Sequence, residues 1–161
     1  MGFSGEASRH FLLDPDFWRP RLERLNESPR QLAIFPRPDL ARPGIEVVEL
    51  RMKAHDGGRL VALLARSSFA QTGEEVRLRP CPDLQDACLD WGAVEAGSSD
   101  LVYCYPSDRG LEDRVLDVLR LLGAACSLES VECGKVHLGD EEEPTRDEFS
   151  IARFLQNRGW A

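Results

Sequence analysis

Residues 101–123 read LVYCYPSDRGLEDRVLDVLRLLG, and the change of rhythm inside this stretch decides the class of fold. Leu101 to Tyr105 is a compact apolar run of strand length. Pro106-Ser107-Asp108-Arg109-Gly110 has the composition of a turn. Beyond it, Leu111, Val115, Val118, Leu119 and Leu122 recur at helical spacing along one side. A strand, a turn and a helix in direct succession make part of the crossover that parallel strands require. Gly123 is expected to end the helix.

Toward the C-terminus, a strand is expected from Cys126 to Cys133, followed by a polar loop with the acidic run Asp140 to Glu143. Thr145 and Glu148 have the spacing of a capping box, and the final helix behind them carries Phe149, Ala152 and Leu155 and stops at Gly159. Toward the N-terminus, Leu84, Ala87, Cys88 and Trp91 fall at i, i+3, i+4 and i+7 after a capping Asp83, which predicts a helix ending near Gly92 or Gly97. Val76 to Arg79 reads as a short strand before it.

The first third is punctuated differently. Val48, Leu50 and Met52 alternate with Glu49, Arg51 and Lys53, the period of a strand with one wet face. Asp56-Gly57-Gly58 supplies a turn, and Leu60 to Ala65 is continuously apolar, so a β-hairpin is expected with its second strand the more central. Phe17, Trp18, Leu22 and Leu25 mark an amphipathic helix after Asp14-Pro15, and Pro29, Pro36, Pro38 and Pro43 make the stretch from Ser28 to Gly44 an extended surface connection. Together these patterns predict an α/β fold of three layers. A mostly parallel or mixed sheet of about five strands is flanked by helices, with an N-terminal antiparallel hairpin. Residues 1–44 form a helix and Pro-rich arm packed on the domain, and residues 45–161 form a single α/β domain.

Composition narrows the partners. The 161 residues are 42% hydrophobic and 30% charged, as globular chains are, and the net charge of −8 with no basic cluster argues against nucleic acid and anionic membrane surfaces. A basic protein, a cation or a neutral small molecule suits this acidic surface better. Five cysteines at 81, 88, 104, 126 and 133 form no Cys-x-x-Cys pair, so Cys88, Cys104 and Cys126 are read as small buried hydrophobes in a reducing compartment. With no leader pattern at the N-terminus and no apolar run of about 20 residues, a cytoplasmic protein is expected. Neither a cofactor nor a metal is expected. The acidic run beside His137 reads as solvated charge, since consecutive carboxylates point in different directions.

Residues 17–69, with FWRPRLERL, the Pro-rich arm and GIEVVELRMKAHDGGRLVALLARSSF, resemble the start of an α/β-hydrolase of the acetyl xylan esterase and dienelactone hydrolase kind. The portion from Leu101 onward resembles that superfamily's ending, which implies Asp108 in the place of the catalytic acid and His137 in that of the histidine. A second alignment, of PDLQDACLDWGAVEAGSSDLVYCYPSDRG with the helix, strand and nucleophile elbow, implies Ser107 as the nucleophile; the two alignments compete for one strand. The chain departs from the pattern at a decisive point, because no Gly-x-Ser-x-Gly occurs in it and Tyr105 and Arg109 stand where the elbow's glycines would be.

Each candidate also has a plainer role. Ser107 or Asp108 suits the cap of the following helix, His137 a solvent-facing loop, and His55 and Asp56 the hairpin turn. Trp18, Trp91 and Trp160 read as packing residues. The preferred reading is a degenerate hydrolase-like domain without catalysis that binds a partner protein, a small ligand or its own copy as a homodimer. The alternatives are a small serine esterase or acyl hydrolase using Ser107 and His137 with Asp108 or Asp140, and an acidic interaction or immunity-type protein.

Overall fold

The computed structural model describes residues 14–67, 76–81, 84, 88–104, 110–129, 136–138 and 146–158. The hairpin forms as its pattern predicts: β2 (Ile45–Lys53) and β3 (Arg59–Ser67) pair antiparallel from Ile45↔Ser67 to Lys53↔Arg59. The turn between them uses Gly57 at φ 87°, and the Asp56 carboxylate accepts the Gly58 N–H at 3.0 Å. The Pro-rich arm contributes more than a connection, since β1 (Ala33–Pro36) pairs antiparallel with β2 and begins the sheet. Pro36 is tolerated there because an edge strand need not offer every N–H.

β4 (Val76–Cys81) and β5 (Ser99–Cys104) pair parallel, and β6 (Val136–Leu138) adds parallel to the other side of β4. β5 also pairs antiparallel with β3, giving a six-stranded mixed sheet in the order β1-β2-β3-β5-β4-β6. The connection between the parallel neighbours β4 and β5 carries α2 (Trp91–Glu95), the connection from β5 past β4 to β6 carries α3 (Leu111–Glu129), and α4 (Arg146–Asn157) follows β6.

Helices cover both faces. On one, α1 (Pro15–Glu27), α3 and α4 enclose a large core with the inward residues of every strand from β2 to β5; on the other, Val94 and Trp91 of α2 pack with Leu89 on Val47, Leu63, Ala65 and Val102. Asp14 caps α1 by accepting the Asp16 N–H at 2.9 Å, and Pro15 fits the first turn, where its missing N–H costs nothing. Trp18, Leu22 and Leu25 then turn inward at i, i+4 and i+7, Trp18 fully buried.

Three expectations are corrected. The described residues before Trp91 do not continue the helix: Leu84 and Cys88–Asp90 are not α-helical, and the helix starts at Trp91, with the Asp90 carboxylate accepting the Ala93 N–H at 3.1 Å. Gly123 does not stop α3, which runs on to Glu129, so Cys126 lies in helix and the strand expected from Cys126 to Cys133 is found instead at Val136–Leu138. Glu49, expected on a wet face, is buried between Arg37 and Arg51, whose guanidinium groups neutralise it. In α4, Phe149, Ala152 and Leu155 are buried as expected; Glu148 is buried too and forms an ion pair with Arg114, while Thr145 lies outside the described residues.

Because Trp18 fills the core from a helix that precedes the sheet, Trp18→Ala is expected to lower unfolding free energy by about 3–5 kcal/mol. Urea denaturation followed by circular dichroism checks this; a loss below about 1 kcal/mol would mean that α1 merely lies on the surface.

Candidate functional site

β2, β4, β5 and β6 run in one direction, so Lys53, Cys81, Cys104 and Leu138 end at the same edge of the sheet. The chain leaves β4 toward α2 on one face and leaves β5 toward α3 on the other. Adjacent strands whose exits diverge open a crevice at their carboxyl ends, the usual place for a site in an open α/β sheet. Cys81 and Cys104 are register partners at its mouth.

A closed set of charges lies farther down the same strands, toward the amino end of β5. Asp100 has no exposed surface and accepts from Arg79 Nε at 2.8 Å, Arg79 Nη2 at 2.6 Å and the Asp90 backbone N–H at 2.8 Å. Arg79 Nη2 also donates to the Cys88 carbonyl at 2.7 Å, and Arg77 Nη1 donates to Asp90 Oδ2 at 3.0 Å. The hydrogen bond to Asp100, against the opposing effect of burial, raises the Arg79 pKa above its ordinary value, and the charges of Asp100 and Asp90 add to this. The Ala93 N–H, followed by the charges of Arg77 and Arg79, holds the Asp90 carboxyl below the usual carboxylate range, although partial burial opposes this. These bonds fasten the 88–95 segment over β4 and β5, a structural role.

A second pair sits at the carboxyl edge. His55, in the turn after β2, places Nε2 2.7 Å from Asp113 Oδ1 in the first turn of α3. The local sequence gave His55 only a turn-forming role. Its partner lies 58 positions away, so no spacing rule could reveal it. Asp100 carried a better signal: a charged residue opening an apolar strand is buried only with a partner.

The sequence candidates fall as follows. Ser107 and Asp108 belong to the connection that leaves β5 and lie outside the described residues, as does the run Asp140 to Glu143. His137, expected in a loop, is in β6 in register with Arg77. β4 separates β6 from β5, two strand spacings or roughly 10 Å across the sheet. Among the described residues no cluster of three or more His, Cys, Asp or Glu is arranged to hold a metal.

The cysteines depart from expectation. Cys81 and Cys88 form a disulfide with Cα atoms 6.2 Å apart, Cys126 is also disulfide-bonded, and Cys104 is exposed with its thiol intact. Spacing alone could not show this, because Cys81 meets Cys88 at the end of a strand and Cys126 lies in a helix. The pairing removes the cysteine-based argument for a reducing compartment. No helix among the described residues is long and apolar enough to cross a membrane.

The depressed Asp90 pKa carries a sign. Its contribution to stability is present above the unfolded carboxyl value, near 4, and is lost as pH falls through the lower folded value. Urea midpoints measured from about pH 5 to about pH 2.5 are therefore expected to fall less steeply in Asp90→Asn than in the native chain; parallel curves would contradict the assignment.

No protein-family model matches the chain, and no curated protein matches it. Solved structures do. An acetyl xylan esterase from Paenibacillus sp. R4 superposes with a TM-score of 0.64 at 16% identity, over 86% of this chain and 53% of that one. Acetyl xylan esterase 1 from Thermoanaerobacterium sp. JW/SL YS485 gives 0.60 at 12% identity, over 76% and 48%. A thermostable esterase from Pseudomonas putida ECU1011 gives 0.52 at 13% identity, over 98% and 49%. The fold is α/β-hydrolase-like, and the chain spans about half the length of the esterases it matches.

Proposed function

We propose that the chain is a hydrolase-like domain that binds a partner and does not hydrolyse esters. One observation carries this: the fold matches esterases over about half of their length, yet none of the three connections leaving the described strands β4, β5 and β6 has the residues of a nucleophile elbow. Residues 82–90 read PDLQDACLD, residues 105–110 read YPSDRG, and residues 139–145 read GDEEEPT. Ser107 is the only serine among them. The elbow needs small neighbours so that the serine can take up strained angles, and Tyr105 and Arg109 flank Ser107 instead. Among the described residues, Arg79 and the buried Asp100 are bound to one another and to backbone groups, a role in the fold.

The binding half of this reading rests on the β1 edge. β1 is the terminal strand of the sheet, and its Ile34 and Phe35 are 46% and 42% exposed. Among the described residues no strand pairs with the outer side of β1, and an edge with exposed apolar side chains invites another strand, which a second copy of this chain would supply. One observation favours residual catalysis: the His55–Asp113 pair lies at the edge where the Ser107 connection departs. A small serine esterase using Ser107 is the second reading.

Incubation with a fluorophosphonate probe and with short-chain nitrophenyl esters separates the two. No labelling and no turnover above that of a Ser107→Ala variant are expected, with sedimentation showing a dimer. Labelling at Ser107 with turnover lost in that variant would establish the esterase reading instead, and a strict monomer at high concentration would remove the homodimer.

A further inference from the structure

We propose that the cavity between the end of α1 and the middle of α3 binds a small oxyanion, the phosphate or carboxylate of a metabolite-sized molecule, through Arg120 and Arg30. This stands whether or not the carboxyl edge is catalytic, because it uses other residues, about three turns along α3 from the crevice.

Arg120 projects from the apolar face of α3 and is only 3% exposed. Its Nη2 donates to the carbonyls of Leu25 at 3.3 Å and Ser28 at 2.8 Å, where α1 ends, while Nε and Nη1 have no partner. Buried guanidinium donors left unmade are costly and call for an acceptor. Arg120 lines a cavity of about 340 Å³ together with Ser28, Arg30, Leu119 and Gly123, a size in the range of small-molecule sites.

Gly123 supplies an independent sign. A glycine inside a helix is unfavourable, and this one neither ends α3 nor adopts a positive φ. A Cβ at that position would lie 3.0 Å from Arg30 Nη1, so Gly123 lets the second guanidinium lie close against α3, and an alanine there would displace it by a few tenths of an ångström. Burial first, and the Arg30 charge second, push the Arg120 pKa down, while Asp117 on the same helix acts in the opposite direction. Two cations against one carboxylate leave an excess of positive charge in an otherwise acidic protein. An oxyanion would relieve that excess and accept from the orphaned donors, as arginine forks do with carboxylate and phosphate.

The test uses the full chain, titrated separately with inorganic phosphate and with acetate at ionic strength held constant with sodium chloride, and followed by calorimetry and thermal midpoint. Saturable binding of at least one probe is expected, and the tighter of the two identifies the group. Arg30→Gln and Gly123→Ala, which leave the buried Arg120 in place, are expected to weaken binding about tenfold or more, while the exposed Arg153→Gln leaves it unchanged. Absence of saturable binding to the folded native chain, or equal affinity in Arg30→Gln and Gly123→Ala, would overturn the proposal.

Discussion

Asp100 lies wholly inside the protein on a strand buried from Ser99 to Tyr103, and its charge has to be answered from within. Arg79 answers it with two bonds, and the Asp90 N–H adds a third. An uncompensated buried carboxylate is worth several kcal/mol against folding, so this arrangement fixes which strand can lie beside β5 and where the 88–95 segment must turn. β5 is also the seam of the sheet. It joins the antiparallel hairpin on one side to the parallel strands on the other, and the helices that follow β4 and β5 pack on opposite faces of the sheet.

Much of this was legible in the residues. The alternation of Val48, Leu50 and Met52, the apolar run of β3 and the helical spacing of Trp18, Leu22 and Leu25 each report local burial, which the sequence encodes directly. Where burial has another origin, the pattern misleads. Leu84, Cys88 and Trp91 are packed by a disulfide and a turn, yet they have the spacing of a helical face. Gly123 sits mid-helix beside Arg30, and no local rule distinguishes that from a helix end. β1 pairs through its backbone at an edge, which calls for no hydrophobic signature.

The candidate site was less legible than the fold. Pairing of Arg79 with Asp100 and of His55 with Asp113 joins residues 21 and 58 positions apart, and such contacts depend on topology. Ser107, Asp108 and His137 came from resemblance to a hydrolase, and the register sets the strand of His137 two places from the strand that Ser107 follows. A shared fold carries no chemistry of its own; activity belongs to side chains placed at an edge. Here the charges between β4, β5 and the 88–95 segment satisfy one another, and the orphaned Arg120 donors lie on the helical face.

If β5 is the seam on which the sheet depends, its amides should open only when the whole molecule unfolds. Native-state hydrogen exchange measures this residue by residue. The amides of Asp100 to Tyr103 and of Ala62 to Ala65 should exchange last and together, with the free energy of global unfolding. Exchange at Asp100 to Tyr103 that is faster than in α1 or β1 would contradict the account, because it would show that the buried pair closes a local structure and does not hold the sheet.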